Sequence, residues 1–317
     1  MANDTLLTLA DIQAARARIA AYVKRTPVLT SDVLDAAADA RLFFKCENLQ
    51  HIGAFKARGA ANAVFSLSDA EAKKGVATHS SGNHGSAVAR AAALRGVPAY
   101  IVMPEGVAKP KAEQVERLGG RITYCEPTLA AREAATAKIV ARTGAAMVHP
   151  YDNRKVMAGQ GTAALELLED TPPLDLVLCP IGGGGLISGA ATAVKALSPA
   201  TRFIGVEPAG ADDAARSFEA HRLIPLTHAD TIADGLRASL SPDTFAHIAA
   251  RVDAIATVSE PGIAAAMRAL WEGLKIVVEP SAAVPYAAIR EGKVEVRGLK
   301  VGIVLTGGNV DLDKLPW

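Results

Sequence analysis

The chain has 317 residues, of which 50% are hydrophobic, 21% are charged and 4% are aromatic. Its 34 Lys and Arg against 33 Asp and Glu leave a formal charge of +1, without a basic run that could follow a phosphate backbone, so nucleic acid is not an expected partner. We find neither a secretory signal nor the ~20 consecutive apolar residues of a membrane helix, and we therefore expect a cytoplasmic protein that contacts no membrane.

Apolar runs of strand length alternate along the chain with alanine-rich segments of helical spacing. The strand candidates, in chain order, are LFFKC, GVATHS, PAYIVM, RITYC, LDLVLC, RFIGVE, DAIATV and KVGIVL. The helix candidates are SAVARAAALRG, AAREAATAKIVART, GTAALELLED and SGAATAVKAL. This alternation predicts an α/β protein with two lobes, each an open, mostly parallel sheet that is flanked by helices.

The length of the chain also favours two lobes over a single core. Candidate boundaries lie in SLSDAEAKK, near residues 66–74, and in TGAAMVHP, near residues 143–150. We therefore predict a small domain at residues 68–145, which is inserted into a large domain formed by residues 1–67 and 146–317.

The strand candidate LDLVLC is followed by four glycines, Gly182 to Gly185, and then by a helix candidate. Free N–H groups at a helix N-terminus bind anions, and glycine allows a ligand to approach the main chain. No Gly-Lys-Ser/Thr follows, as a Walker loop requires, and GGGGLISG contains no G-x-G-x-x-G. Glu207 nevertheless ends the next strand where a ribose-binding acid would lie, which leaves a nicotinamide oxidoreductase as an alternative.

Small polar loops follow two other strand candidates. Ser80, Ser81, Gly82, Asn83 and His84 lie between a strand and a helix, where hydroxyl, amide and backbone donors suit a carboxylate. Thr306 ends the last strand. Since ligands of open parallel sheets lie outside the carboxyl ends of the strands, these loops are expected to converge on one crevice.

Lys56 lies in GAFKARG, an unusually apolar setting for a lysine. In a medium of low dielectric constant an amine loses its proton more easily and attacks carbonyl groups. A phosphorylated aldehyde that is held by the glycine loop and linked to Lys56 would account for all of these features. The sequence thus indicates pyridoxal 5'-phosphate.

Eight motifs support this interpretation: KCENLQHIGAFKARGA, HSSGNHGSAVA, GQGTAALELL, GGGGLISG, GVEPAGADDAARS, TIADGLRAS, VVEPSAA and LTGGNVDL. In this order they resemble the fold type II pyridoxal-phosphate enzymes, which have the fold of the tryptophan synthase β subunit. Within these enzymes the chain is most similar to the group of serine racemases and serine/threonine dehydratases.

The resemblance implies a role for each residue that matches the family's motifs. Lys56 would bind the cofactor covalently and act on the Cα proton, and Phe55 would pack beside the ring. Asn83 would donate a hydrogen bond to the ring's 3'-oxygen, and Thr306 would meet the pyridine nitrogen. The phosphate would be bound by Gly182, Gly183, Gly184, Gly185 and Leu186. The substrate would be bound by Ser80, Ser81, Gly82, His84 and Arg132.

Two further sites are implied by the resemblance. Ser81 matches the hydroxyl that serine racemases use on the ring face opposite the lysine, so a base would stand on each face, as racemisation requires. Glu207, the carbonyl of Ala211 and Asp213 match a site for a divalent cation, Mg²⁺ or Ca²⁺, which prefers such hard oxygen ligands. Members of the family usually form homodimers.

The implied activity is dehydration of L-serine or L-threonine to a 2-keto acid and ammonia, with serine racemase activity as an additional expectation. The chain departs from the dehydratase pattern at Ala54 and Ala57, which flank Phe55 and Lys56, and from some racemases at Ala238. Because hydroxyaspartate dehydratases also have alanine at position 54, dehydration of 3-hydroxyaspartate is an alternative on the same scaffold.

Overall fold

The computed structural model describes residues 6–80, 82–107 and 109–317. The helices are α1 (Leu9–Ile19), α2 (Asp32–Ala38), α3 (Lys56–Phe65), α4 (Asp69–Ala72), α5 (Asn83–Arg95), α6 (Lys109–Arg117), α7 (Leu129–Thr143), α8 (Arg154–Glu169), α9 (Gly185–Leu197), α10 (Asp213–Glu219), α11 (Pro242–Arg251), α12 (Glu260–Leu274) and α13 (Pro280–Arg290). Short 3₁₀ helices span Glu47–Leu49, His51–Gly53 and Asp234–Leu236.

The strands are β1 (Val28–Leu29), β2 (Arg41–Cys46), β3 (Val76–His79), β4 (Ala99–Pro104), β5 (Gly120–Cys125), β6 (Ala146–Met147), β7 (Leu176–Pro180), β8 (Arg202–Pro208), β9 (Ala254–Val258) and β10 (Lys300–Leu305). All eight predicted strands are present. The sequence analysis did not predict β1 and β6, since two residues are too few to show a pattern.

The strands form two sheets. The larger sheet has the order β1-β2-β10-β7-β8-β9, and the smaller has the order β5-β4-β3-β6. All neighbouring strands are parallel except β1, which pairs with β2 in antiparallel orientation. The predicted class, α/β with two mostly parallel sheets flanked by helices, is confirmed.

Helices cover the larger sheet on both faces, which explains why its strands are apolar throughout. Successive side chains of a strand point to opposite faces. Leu42 and Phe44 of β2 pack accordingly into a core with α12 and α13, whereas Phe43 between them packs into a second core with α8 and α9. The sheet is thus the middle layer of three.

The smaller sheet is covered in the same way. Val76 of β3 packs with α3 and α5, and Ala77 packs with Ile139 of α7 on the other face. β6 pairs with β3, so this sheet extends two residues beyond residue 145. The division into domains at 68–145 and on either side of it stays a prediction. In the described ranges, no helix combines the length and apolar character needed to cross a bilayer.

The topology brings several loops to one place. In the larger sheet β2, β10 and β7 are neighbours, and their carboxyl ends lead to Lys56, Thr306 and the glycine loop. Ala54 forms a bridge with Gly307, and the backbone N–H of Phe55 donates to the carbonyl of Thr306 at 3.0 Å. The segment that carries Lys56 is therefore held against the end of β10.

Candidate active site

A pocket of about 600 Å³ lies where these loops meet the loop that follows β3. Its lining includes the predicted cofactor and substrate residues of the described chain: Phe55, Lys56, Ser80, Gly82, Asn83, His84, Arg132, Gly182, Gly183, Gly184, Gly185, Leu186 and Thr306. Ser81 lies outside the described residues. The structure thus brings the predicted residues together, and their individual roles stay predictions.

Lys56 begins α3 and lies half-buried at the wall of this pocket. Its Nζ donates a hydrogen bond to the carbonyl of Pro150 at 2.9 Å, and in the described chain no carboxylate lies within ion-pair distance of it. Burial lowers the pKa of Lys56 to about 8, although the carboxylate of Glu279 opposes this effect. A substantial fraction of this amine is therefore unprotonated and nucleophilic slightly above neutral pH.

The glycine loop lies between β7 and α9. A Cβ on Gly183 would lie 2.3 Å from the ring of Tyr151, and Gly184, which has a φ of 85°, would place a Cβ 2.7 Å from Thr244. The packing of the protein itself therefore demands glycine here, whereas the sequence analysis attributed these residues to the approach of a ligand. The first amides of α9 have no acceptor within the helix and remain available to an anion.

The N-terminus of α5 is a second group of free amides, at Asn83 and His84. The ring Nε2 of His84 lies 3.0 Å from the carbonyl of Val148, which can only accept, so Nε2 carries the hydrogen. Burial first, and then the charge of Lys56, lower the pKa of His84 well below its ordinary value. The ring is neutral and its Nδ1 is an acceptor, so a carboxylate would be bound by the backbone amides and not by this ring.

Thr306 lies at the end of β10 and is 3% exposed. Its hydroxyl is buried and has no hydrogen-bond partner among the described residues. A buried hydroxyl without a partner is unfavourable, which suggests that a ligand in the pocket supplies the partner.

Charged side chains line the remainder of the pocket. Lys111 of α6 forms an ion pair with Asp234 at 2.8 Å. The guanidinium of Arg132, on α7, donates from Nε to the carbonyl of Thr128 at 3.4 Å, and no carboxylate of the described chain lies within 4.0 Å of it. Arg132 is therefore a cation that a second negative group of a substrate could pair with, as is Arg237, which also lines the pocket and forms no ion pair within the described chain.

Glu279 was missed by the sequence analysis, which used VVEPSAA only as a family motif. It lines the pocket, is 4% exposed and accepts hydrogen bonds from Asn83 and Asn309. Burial, assisted by the charge of Asp234, raises the pKa of Glu279 to about 7. The sequence signal that could have identified Glu279 is that it is a single carboxylate in an apolar run just before a helix.

The predicted cation ligands lie outside the pocket, on β8, in the turn that follows it and at the start of α10. Glu207, Ala211 and Asp213 are all buried. Glu207 accepts hydrogen bonds from the amides of Ala214 and Ala215, at 3.2 and 2.8 Å, and Asp213 accepts one from the amide of Leu240 at 2.9 Å. The described chain contains no group of three or more His, Cys, Asp or Glu side chains that could hold a metal, so the side-chain ligands would be these two carboxylates.

Comparison with known proteins identifies the relatives of this chain. Residues 19–307 match the family model described as pyridoxal-phosphate dependent enzyme. The chain is 51% identical to beta-hydroxyaspartate dehydratase from Paracoccus denitrificans, covering 98% of each protein, and 48% identical to serine racemase from Oryza sativa subsp. indica, covering 96% of this chain and 91% of that one. The solved structure of maize serine racemase superposes with a TM-score of 0.95 at 46% identity, over 97% of this chain and 95% of that chain.

Proposed function

Because the chain belongs to the family of pyridoxal-phosphate-dependent enzymes, we propose that it dehydrates small β-hydroxy amino acids, L-serine or L-threonine, to a 2-keto acid and ammonia. The observation that carries this proposal is Lys56, a half-buried amine whose pKa is lowered to about 8 in a pocket that it shares with two helix N-termini. The family leaves the nicotinamide alternative without support, and Glu207 does not line this pocket.

The residues of the pocket fit pyridoxal 5'-phosphate. Lys56 would bind its aldehyde, the free amides of the glycine loop would bind its phosphate, and the hydroxyl of Thr306, which has no partner in the described part of the chain, would meet its ring nitrogen. When bound, this group supplies an aldehyde that takes up the substrate's amino group and an aromatic ring that withdraws electrons from Cα.

The protein's residues would then hold the substrate and move its protons. The amides of Asn83 and His84 would fix the carboxylate at the N-terminus of α5, where the helix dipole favours an anion. The Nζ of Lys56, once free, would remove the Cα proton, since its lowered pKa keeps it a competent base near neutral pH. Thr306 would offer a neutral hydroxyl and no carboxylate, which favours elimination of the β-hydroxyl over transamination.

Replacement of the lysine tests this proposal. Lys56→Ala is expected to abolish the visible absorption band of the bound cofactor and the formation of keto acid from serine and threonine. Lys138→Ala, at an exposed position on α7, is the matched control and should retain both. Keto acid formation by Lys56→Ala at the wild-type rate would contradict the proposal.

A second candidate substrate is 3-hydroxyaspartate, which one relative, the Paracoccus denitrificans enzyme, is named for. Arg132, which has no carboxylate partner in the described chain, favours this substrate because it could pair with the second carboxylate. Arg132→Gln should then lower kcat/KM for 3-hydroxyaspartate by about 10- to 100-fold, the range expected for a lost hydrogen bond between charged groups, and change serine dehydration far less. An equal loss for both substrates would assign Arg132 to the α-carboxylate instead.

Serine racemase activity is proposed as an additional reaction, since the rice relative is a serine racemase. Ser81, the predicted base on the second face, lies outside the described residues. We expect Ser81→Ala to abolish the formation of D-serine from L-serine and to leave dehydration intact. If dehydration were lost and racemisation kept, the assignment of the two bases would be wrong.

We further propose a divalent cation, Mg²⁺ or Ca²⁺, at Glu207, Asp213 and the carbonyl of Ala211. Burial, and then the charge of Asp213, raise the pKa of Glu207 well above its ordinary value, so this pair lacks a counter-charge that a cation would supply.

The homodimer and the cytoplasmic location also stay predictions. Light scattering after size-exclusion chromatography would test the homodimer.

A further inference from the structure

Glu279 is a buried carboxylate to which the proposed function assigns no task. It precedes α13, and its backbone N–H donates to the carbonyl of Gly307 at 2.9 Å. The packing is so close that a Cβ on Gly307 would lie 2.6 Å from its carboxylate. Burial of a carboxylate is unfavourable unless its hydrogen bonds compensate, so the contacts of this side chain indicate its role.

Two asparagines surround this carboxylate. Asn83 Nδ2 donates to both of its oxygens, at 3.1 and 3.2 Å, and the backbone N–H of Asn309 donates to it at 3.0 Å. An ionised carboxylate only accepts hydrogen bonds, so Asn83 must turn its NH₂ group toward Glu279. At the other end of the same amide, Asn309 Nδ2 donates to Asn83 Oδ1 at 2.8 Å. Both ends of the Asn83 amide are therefore fixed.

The orientation of Asn83 matters because the two ends of its amide differ: the carbonyl accepts hydrogen bonds, whereas the NH₂ group donates them. An NH₂ group has two hydrogens; when one of them is shared by the two oxygens of Glu279, the second N–H of Asn83 remains available to a ligand. Asn83 lines the pocket at the start of α5, whereas Glu279 and Asn309 belong to the side of the larger sheet. The contact with Glu279 thus also links the helix of one sheet to the loops of the other.

Three charged groups face Glu279 from neighbouring elements. Lys56 on α3 is stabilised in its charged form by this carboxylate, against the larger effect of burial. Asp234 and Lys111 act on Glu279 with opposite signs, and they pair with each other at 2.8 Å. That pair is neutral as a whole, and Glu279 and Lys56 line the same pocket without forming an ion pair with each other.

We propose that Glu279 is a positioning residue for the cofactor: it keeps an N–H of Asn83 turned toward the ring oxygen, and it adds a negative charge to the pocket that Lys56 also lines. This inference rests on the proposed function, because it takes the bound cofactor and its link to Lys56 as given. Loss of the charge should make the nitrogen of Lys56 release its proton at lower pH, and loss of the hydrogen bond should loosen the cofactor.

The test compares three variants with the wild-type holoenzyme. In Glu279→Gln the cofactor should dissociate about tenfold faster, and the pH midpoint of its visible absorption should move down. Asn309→Ala keeps the charge but frees the Asn83 carbonyl, so it should speed dissociation without moving the midpoint. Glu272→Gln removes an exposed carboxylate of α12 that does not line the pocket, and it should leave both the midpoint and the dissociation rate unchanged.

The outcomes separate this inference from the proposed function. If wild type shows the Lys56-dependent band while Glu279→Gln keeps the wild-type midpoint and dissociation rate, the role of Glu279 is refuted and the proposed function stands. A wild-type protein without that band would overturn both. If Glu279→Gln fails to fold, Asn309→Ala provides the test. A cofactor that dissociates from Asn309→Ala at the wild-type rate would contradict the view that the Asn83 amide is held in place.

Discussion

The protein buries carboxylates in two regions with opposite consequences. The ion cluster (Lys45, Glu47, Arg58 and Glu166) pairs each acid with a cation: Arg58 lies 2.8 Å from Glu47 and 2.7 Å from Glu166, and Lys45 lies 2.7 Å from Glu166. Although burial disfavours their charges, Arg58 holds the pKa of Glu166 below its ordinary value, and Glu47 and Glu166 raise the pKa of Arg58.

The acidic pair (Glu207 and Asp213) is equally buried but has no cation within 4.0 Å among the described residues. Within the described ranges, only backbone amides and a serine hydroxyl donate to it. Burial accordingly raises the pKa of both acids, and Asp213 adds to the effect on Glu207. A nearby counter-charge, more than the depth of burial, therefore decides whether a buried carboxylate is stable in its ionised form in this protein.

The largest effect is expected when the ion cluster loses its central cation. Arg58→Met would leave Glu47 and Glu166 buried beside Lys45 alone, and such a loss costs about 3–5 kcal/mol. Arg58→Lys keeps the charge but cannot form the forked contact, so its loss should be smaller. Thermal and urea unfolding would measure both variants. Equal stability of Arg58→Met and wild type would show that Glu47 and Glu166 do not depend on Arg58 as their counter-charge.

A divalent cation should supply the acidic pair with a positive counter-charge, as Arg58 does for the ion cluster. At about 100 times its dissociation constant, Mg²⁺ or Ca²⁺ would stabilise wild type by about 2.7 kcal/mol, seen as a rise in Tm that EDTA reverses. Asp213→Asn should remove this rise. Glu219→Gln, an exposed position at the end of the same helix, is the matched control and should keep it. A cation effect that survives Asp213→Asn would place the site elsewhere.

The two regions should also respond to pH with opposite signs. A carboxyl group whose pKa is raised in the folded state binds more protons there, so the acidic pair in EDTA should lose stability as pH rises above about 4.5, the ordinary value for glutamate. Glu166, whose pKa is lowered, contributes stability that is present above that value and lost as pH falls.

The difference in Tm between wild type and Glu207→Gln, followed from pH 4 upward, isolates the contribution of the acidic pair. With EDTA present we expect the Tm of Glu207→Gln to exceed that of wild type by a margin that grows as pH rises. With saturating Mg²⁺ the wild type should regain the advantage. A difference that is independent of pH under both conditions would show that Glu207 does not titrate as a buried acid.

The smallest effect is expected for an ion pair on the surface. Glu169 contacts Arg16 and also Arg25, the latter at 2.9 Å, and its side chain is 42% exposed. Solvent screens such pairs, so Glu169→Gln should change stability by less than about 1 kcal/mol. A loss as large as that of Arg58→Met would contradict the view that burial gives the ion cluster its importance.

The fold could be predicted because its signals are local. Strands that are buried on both faces must be apolar throughout, and the eight runs from LFFKC to KVGIVL therefore stand out in the sequence. Part of the pocket lining could be predicted for a related reason. The parallel strands of one sheet place their carboxyl ends at one edge, so the loops at Lys56, Gly183 and Thr306 had to lie close together. Asn83 follows a strand of the smaller sheet, and it reaches the pocket because of the way the two sheets pack.

Other features depend on residues that are distant in the chain. Arg58 follows Lys56 by two positions, yet only the packing of α8 and the turn after β2 surrounds it with Glu166 and Glu47. The glycine at position 183 is required by Tyr151, a contact that no local pattern contains.

The sequence by itself determined the two parallel sheets, the cofactor chemistry and the loops at strand ends that form part of the pocket, because periodicity and strand-end loops are properties of short segments. The tertiary structure alone decided which charged and polar side chains face one another in the pocket and in the interior. Whether Glu279 faces Asn83, whether His84 donates or accepts, and whether Glu207 has a cation all depend on groups brought together across the fold, since burial and counter-charge exist only after folding.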